Sequence, residues 1–300
     1  MMPFYEQEVM RGGGKPLAIM NSCNYIYFRP FLLRPRGFVK NMLLAIDVGN
    51  TQTVVGVYDG EALQHMWRVA TNKSHTSDEL RVKVLPLLAS EHIELDEVHG
   101  AALASVVPQL TLAWRAALHH MLGSDPLVCT AASAGELFPT TYANPSEIGP
   151  DRVADAVAAR EIYGAPVVVV DFGTATNIEV IDREGKFIGG VIAPGVDTSA
   201  AALFSRATRL AAIDLVDPHT AIGRSTEEAI QAGIVYGEAD RVDGLVKRIF
   251  AQLGYETPVV ATGGLAPRVA ELSHTITAAN PELTLEGLRL IHEVKNGEAV

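Results

Sequence analysis

The sequence predicts an α/β protein made of two similar halves that face each other across a cleft. Three observations carry this expectation. A strand, an Asp-x-Gly turn and a second strand occur twice, first in "LLAIDVGNTQTVVGVYDG" (Leu43 to Gly60) and again in "PVVVVDFGTATNIEVIDREGKF" (Pro166 to Phe187). Alternating strand and helix patterns follow each copy. The chain has 300 residues, 48% of them hydrophobic, enough to bury the core of one large domain or two medium ones.

The two copies align at one offset of 124 residues, which matches Asp47 to Asp171, Gly49 to Gly173, Val54 to Ile178 and Val57 to Ile181. After the first copy, "TSDELRVKVLPLLASE" and "LTLAWRAALHHML" space apolar residues three and four apart, as helices do, while "AALASVV" and "DPLVCT" read as buried strands. After the second copy come "GGVIAPG" and the helical "DTSAAALFSRATRLA". One long helix follows over "STEEAIQAGIVYGEADRVDGLVKRIFAQLG", then the strand "TPVVATGG" and a polar, weakly patterned end. The boundary falls within the helical "PDRVADAVAAREIYG", giving domains over 42–160 and 161–300 whose Asp-x-Gly hairpins face one another.

Residues 1–41 differ in kind. They hold six Lys or Arg and two Glu, a net of +4 that leaves −15 of the total −11 for residues 42–300. Pro and Arg interrupt every apolar stretch of "NYIYFRPFLLRPRGF", so the segment resembles neither a signal peptide nor a membrane anchor. It reads as a poorly ordered extension from an upstream start codon, with Met42 opening the folded domain, or else as a targeting or interaction arm. "GGGK" at Gly12 to Lys15 lacks the Ser or Thr, the glycine spacing and the preceding strand of a phosphate loop.

The acidic balance argues against nonspecific nucleic-acid binding, which needs an excess of Lys and Arg. Cys23 and Cys129 stand outside any CxxC or Cys/His spacing. That leaves no disulfide framework or structural zinc site and fits a reducing, cytoplasmic setting. No apolar run reaches the roughly eighteen residues that span a bilayer, so no membrane partner is expected.

Each Asp-x-Gly turn admits two readings. Asp can simply bond its own backbone in a tight hairpin. Alternatively, Gly and short donors point backbone N–H groups at phosphates while the carboxylate meets a hard cation, which prefers oxygen ligands. Two facing copies favour the second reading, in a geometry suited to ATP. A third turn, "VVATGGLA", places Gly263 and Gly264 after a buried strand, where an adenine or ribose can approach the backbone or the chain can merely turn into a helix.

In "SEIGPDRVADAVAARE", Ser146 is a candidate N-cap and Pro150 suits an early helical position, so Asp151 projects from a first turn. There it either complements the helix dipole or accepts a proton. Arg152 either forks to a carboxylate or phosphate or pairs with Asp155 or Glu147. Tyr142 either donates its hydroxyl or packs, and Thr226, preceding Glu227 and Glu228, either binds substrate or caps a helix, two roles that can coexist. The nine His residues show no HxxxH or HExxH spacing, and His119 and His120 fit the surface or packing face of an amphipathic helix.

Two Asp-x-Gly hairpins, one per α/β half, followed by a late strand ending in Gly-Gly, resemble the acetate and sugar kinase, Hsp70 and actin superfamily. Its fold is a pair of ribonuclease H-like (actin-like ATPase) domains flanking a nucleotide cleft. More specifically, "DVGNTQT", "GPDRVADAVAA", "VVVDFGTATNIEVID", "GGVIAPG" and "IGRSTEEAIQAGIVYG" resemble the type III pantothenate kinases, in the family's order over residues 42–265. The resemblance implies transfer of the ATP γ-phosphoryl group to the primary hydroxyl of pantothenate, the first step of coenzyme A synthesis. By the same resemblance, Asp47, Val48, Gly49, Asn50, Thr51, Gln52, Thr53 and Val54 form the first phosphate loop, with Asp47 near Mg²⁺. Gly149, Pro150, Asp151 and Arg152 contact pantothenate, with Asp151 as proton acceptor. Asp171 binds a monovalent cation, K⁺ or ammonium, and Thr174 meets ATP. Tyr142 and Thr226 match substrate-binding positions, and a homodimer is implied. Family members commonly carry Leu-Pro where this chain has Leu210-Ala211. The rival expectations are another small-molecule kinase of the superfamily and an accessory partner in transcription.

Overall fold

A strand buried on both faces has to be apolar along its length, and the two strands that precede the Asp-x-Gly turns are. In the computed structural model, which describes residues 41–207 and 212–297, β1 (Met42–Val48) is buried throughout except at Asp47. The extension over 1–40, Cys23 and the Leu210-Ala211 pair lie outside the described residues.

The first sheet pairs β1 antiparallel with β2 (Gln52–Asp59) and β2 antiparallel with β3 (Ala62–Ala70). On its other side β1 runs parallel to β4 (Val98–Ser105), and β4 to β5 (Leu127–Val128), in the order β3-β2-β1-β4-β5. The second sheet has the same plan. β6 (Val167–Phe172) pairs antiparallel with β7 (Ala175–Ile181), which pairs antiparallel with β8 (Phe187–Pro194). β6 runs parallel to β9 (Val259–Gly263), and β9 to β10 (Ala278–Ala279), in the order β10-β9-β6-β7-β8. The duplicated pattern is therefore a duplicated topology.

The uniform offset of 124 is corrected beyond the turns. Asp47 lies opposite Val54, whereas Asp171 lies opposite Asn177. The second turn closes with Gly173 N–H on the Ala175 carbonyl, one residue tighter than Gly49 N–H on that of Gln52. Val54 therefore corresponds to Asn177, not Ile178, and Thr51 to Thr174.

Helices cover the sheets where the apolar spacing places them. α1 (Ser77–Ser90) opens on a capping box between Thr76 and Glu79 and packs with α2 (Pro108–Leu122) over a core centred on Trp114. His119 and His120 are exposed on α2, as expected. Past β5 come the short α3 (Ala131–Ala134) and then α4 (Pro150–Tyr163). In the second half α5 (Val196–Arg206) follows β8. The one long helix expected next is interrupted: α6 (Thr226–Gln231) and α7 (Gly237–Leu253) are joined by a π-helical turn over Ala232–Tyr236. α8 (Ala266–Ala270) follows β9, and the segment read as weakly patterned folds as α9 (Leu283–Lys295), buried from Leu285 to Ile291.

α4 and α9 form the seam between the sheets. α4 is buried continuously from Arg152 to Ala159, packing on β4, β6 and β7, while α9 packs on β1 and β4. The two backbones meet at Gly287, where an added Cβ would stand 2.0 Å from the Ala154 carbonyl oxygen. Only a residue without a side chain fits there. We expect Gly287→Ala to destabilise the chain by about 1–3 kcal/mol, the usual range for overpacking, read as a lowered midpoint in denaturant with an unchanged slope.

Candidate active site

The first acidic turn is built by the end of β1. Gly49 allows a closure that a side chain would obstruct, since a Cβ there would lie 2.9 Å from the Gln52 carbonyl oxygen. Asn50, Thr51 and Gln52 are exposed at the tip. Val48 and Thr53 are buried and Val54 is half-buried in β2, so the loop proper is Gly49 to Gln52, and Thr53 is tied to Thr71 by a 2.8 Å hydroxyl contact.

The second turn approaches the first. Thr51 Oγ1 and Thr174 Oγ1 are 3.0 Å apart, so the equivalent hydroxyls of the two hairpins touch across the cleft. Thr174 is fixed from behind, its carbonyl accepting from Thr198 Oγ1 at 2.6 Å and from Gly195 N–H at 3.1 Å. The third glycine turn closes on the same place. Gly263 has φ +90°, and a Cβ there would come within 2.6 Å of Asp171 Oδ1. The turn thus abuts the second carboxylate, while Gly264 faces open space.

Asp151 lies on the first turn of α4, as expected, but the cap is Gly149 and not Ser146. Ser146 belongs to a separate 3₁₀ turn over Pro145–Glu147, capped by Asn144. The reason is local: Asp151 folds back so that its Oδ1 accepts from Arg152 N–H at 2.9 Å, and a Cβ on residue 149 would stand 2.4 Å from that oxygen. Pro150 takes the first helical position, where its missing N–H costs nothing.

Electrostatics tie these parts together. Asp47 is pushed well above the usual carboxylate range, first by burial and then by the charges of Asp151 and Asp171, with partial relief from Arg68. Burial and then Asp151 push Asp171 up to about 7. Asp151 is itself raised by burial, against the opposing bond and charge of Arg152. Three carboxylates drawn from both halves therefore share one poorly hydrated space.

Two further acids, not singled out in the sequence as site residues, adjoin them. Glu179 on β7 is fully buried and accepts from Arg152 Nε at 2.8 Å, yet its pKa is pushed up to about 8 by burial, with the opposing charge of Arg152 too little to offset it. Asp155, one helical turn after Asp151, accepts from Thr284 Oγ1 at 2.7 Å and is raised well above the normal range by burial, Asp171 and Glu179. Arg152 thus pairs with Glu179, neither with Asp155 nor with Glu147. Glu179 carries no local mark beyond being the one charged residue of the strand "TNIEVI".

The Arg152 guanidinium lies 5.5 Å from the centroid of the Phe187 ring, and Tyr142 meets the same ring at 5.9 Å. Tyr142 both packs and remains 37% exposed, with its hydroxyl available to a ligand. Thr226 is exposed at the start of α6, whose cap is Ser225, accepting from Glu228 N–H at 3.1 Å. Among the described residues, no hydrogen bond or ion pair connects Thr226 to the acidic cluster.

The donor set suits hard cations. Asp47 Oδ1 is buried without a hydrogen-bond partner, and the Asp171 carboxylate accepts none among the described residues. Among the described residues no three His, Cys, Asp or Glu side chains are grouped so as to hold a metal by themselves. A magnesium ion needs no such group, because one or two carboxylates plus substrate phosphates and water complete its octahedron.

The family model for type III pantothenate kinase matches residues 43–248. The chain belongs to the type III pantothenate kinase family. Type III pantothenate kinases of Frankia alni and Thermomicrobium roseum are each 45% identical to it over 252 residues, covering 84% of this chain and 99% and 97% of theirs. That of Moorella thermoacetica is 43% identical over 253 residues. A solved structure from Campylobacter jejuni, assigned to the Baf family of transcriptional activators, superimposes with a TM-score of 0.54 at 18% identity, covering 85% of this chain and 100% of that one. At that identity the likeness speaks for the fold alone.

The raised acids have a consequence for stability. The folded chain keeps protons on Asp171 and Glu179 that the unfolded chain sheds above about pH 4, so these groups lower stability as pH rises from about 4 toward 8. In buffer free of magnesium and potassium, Tm should fall over that window. Asp171→Asn, which cannot ionise, should flatten the fall and raise Tm at about pH 8 by roughly 5 °C, with little effect near pH 4, in scans across pH.

Proposed function

We propose that Asp151 accepts the proton of the primary hydroxyl of pantothenate as that oxygen attacks the γ-phosphorus of ATP, with the two Asp-x-Gly loops holding the phosphates. The reaction class follows from the family: ATP-dependent phosphorylation of pantothenate, giving 4'-phosphopantothenate and ADP at the start of coenzyme A synthesis. The assignment of parts rests on one observation above others, the 3.0 Å contact between Thr51 and Thr174, which brings both loops to one ligand.

Phosphoryl transfer asks the protein mainly for alignment and charge neutralisation. The oxygen–phosphorus bond forms as the bond to the β-phosphate bridging oxygen breaks, and the proton passes to a carboxylate raised by burial, hence a better base than a free Asp. The hydroxyls of Thr51 and Thr174 and the backbone N–H groups of Asn50, Thr51 and Thr174 bind the phosphate oxygens, while the Gly49 and Gly173 N–H groups close the turns. Arg152 and Tyr142, set against Phe187, bind and orient pantothenate. Asp47 would hold Mg²⁺ and Asp171 would hold K⁺ or ammonium. When bound, these cations neutralise phosphate charge and the buried carboxylates. We assign Thr226 to the substrate on family pattern alone.

The proposed working form is a cytoplasmic homodimer with domains over 42–160 and 161–300. Edge strand β8 supports the dimer, since it leaves Ile192 66% and Ile188 36% exposed near Tyr142. A transcriptional partner of the same fold would have no use for a buried proton acceptor. No helix among the described residues is long and apolar enough to cross a membrane.

Coupled ADP release with and without pantothenate tests the reading. Asp151→Asn should leave ATP binding nearly intact and lower turnover roughly 100-fold or more, and equal turnover in mutant and wild type would remove Asp151 from the mechanism. Replacing potassium by sodium should sharply reduce wild-type turnover, and Asp171→Ala should be slow in both salts. A wild type indifferent to K⁺ would end the cation assignment.

A further inference from the structure

We infer that Glu179 is a positioning residue for pantothenate, acting through Arg152 by locking the guanidinium in one orientation against Phe187. The inference rests on the pantothenate reading above. Arg152 reaches the site from the first turn of α4 and Glu179 from the middle of β7, so the pair joins the seam helix to the second sheet. Glu179 is 0% exposed and holds Nε at 2.8 Å, while the ring of Phe187 supports the flat face of the guanidinium 5.5 Å away.

Nε held from one side and the plane held from another leave an Arg head group little freedom. The two terminal amino groups donate to no partner among the described residues, and they form the edge that matches a carboxylate or amide oxygen. Gly190 makes the arrangement possible from below: a Cβ there would come 1.7 Å from the Ile178 carbonyl oxygen and 3.1 Å from Arg152 Nη2. Glu179 Oε2 is buried with no partner, so Glu179 is only half satisfied as a structural ion pair. An acid kept fully dry with one orphaned oxygen is a costly way to fix a fold and a direct way to fix one guanidinium.

The test compares Glu179→Ala, Glu179→Gln and Arg152→Lys with wild type in steady-state assays of pantothenate and ATP. Glu179→Gln keeps an oxygen acceptor for Nε in nearly the same volume, and Glu179→Leu, which fills the space without an acceptor, takes the place of Glu179→Ala if that variant does not fold. Glu179→Ala should raise the KM for pantothenate about tenfold or more, with the KM for ATP within about twofold of wild type, and Glu179→Gln should recover most of the loss. In an Arg152→Lys background, which lacks Nε geometry, changing Glu179 to Gln should add little. The inference is overturned if pantothenate KM stays within about twofold in both Glu179 variants. It also fails if the KM values for pantothenate and ATP rise together, or if the effects of the Arg152 and Glu179 changes are additive. A wild type that releases no ADP with pantothenate overturns the reading on which the inference rests, and so both.

Discussion

The constraint on which the rest depends is an excess of acidic side chains in a nearly dry cleft. Asp47, Asp151, Asp155, Asp171 and Glu179 influence one another there, with Arg152 the single cation bonded to any of them among the described residues. Such a cluster is unfavourable in the free chain, and the surrounding core has to impose it. Strands β1 and β6, apolar everywhere but at their acids, do so by fixing each carboxylate at the mouth of a sheet. Under the proposed assignment, cations and phosphates would supply the charges and bonds that the protein withholds, so their binding would stabilise the site.

The matching strand orders make the two halves copies of one plan, and the copies differ at their turns. The first turn is longer by one residue and presents exposed amide and hydroxyl side chains. The second is tighter, with its carboxylate enclosed by Gly173 and Gly263. Under the proposed assignment, the longer, more open loop would take the terminal phosphates and the enclosed acid a dehydrated monovalent ion. The pseudo-twofold relation survives where it matters, at the paired threonines.

Much of this was legible in the chain itself. The two acidic turns, Asp151 on a first helical turn and the α/β alternation were readable because each follows from a local rule: an apolar run of strand length, a glycine after an acid, a proline at a helix start. The partner of Arg152 was not, since Glu179 lies 27 residues away and nothing local marks which of several acids faces α4. The helix caps slipped by a few residues or one, from Ser146 to Gly149 and from Thr226 to Ser225, because the backward fold of the Asp151 side chain and the tight turn at Gly223 decided between neighbouring candidates. The π-helical turn and helix α9 escaped notice for a related reason. Their patterns make sense only against surfaces contributed by distant segments.

The path of the chain through the seam bears on how it is made. Helix α9 roofs β1 and β4, strands made some two hundred residues earlier. While a ribosome extends the chain, the apolar underside of the first sheet waits for a cover that emerges only after the whole second sheet has been synthesised. Folding is therefore dominated by a long-range closure, slow by the standards of locally connected proteins and exposed to association in the interval. The nascent first lobe is accordingly a natural client for chaperones.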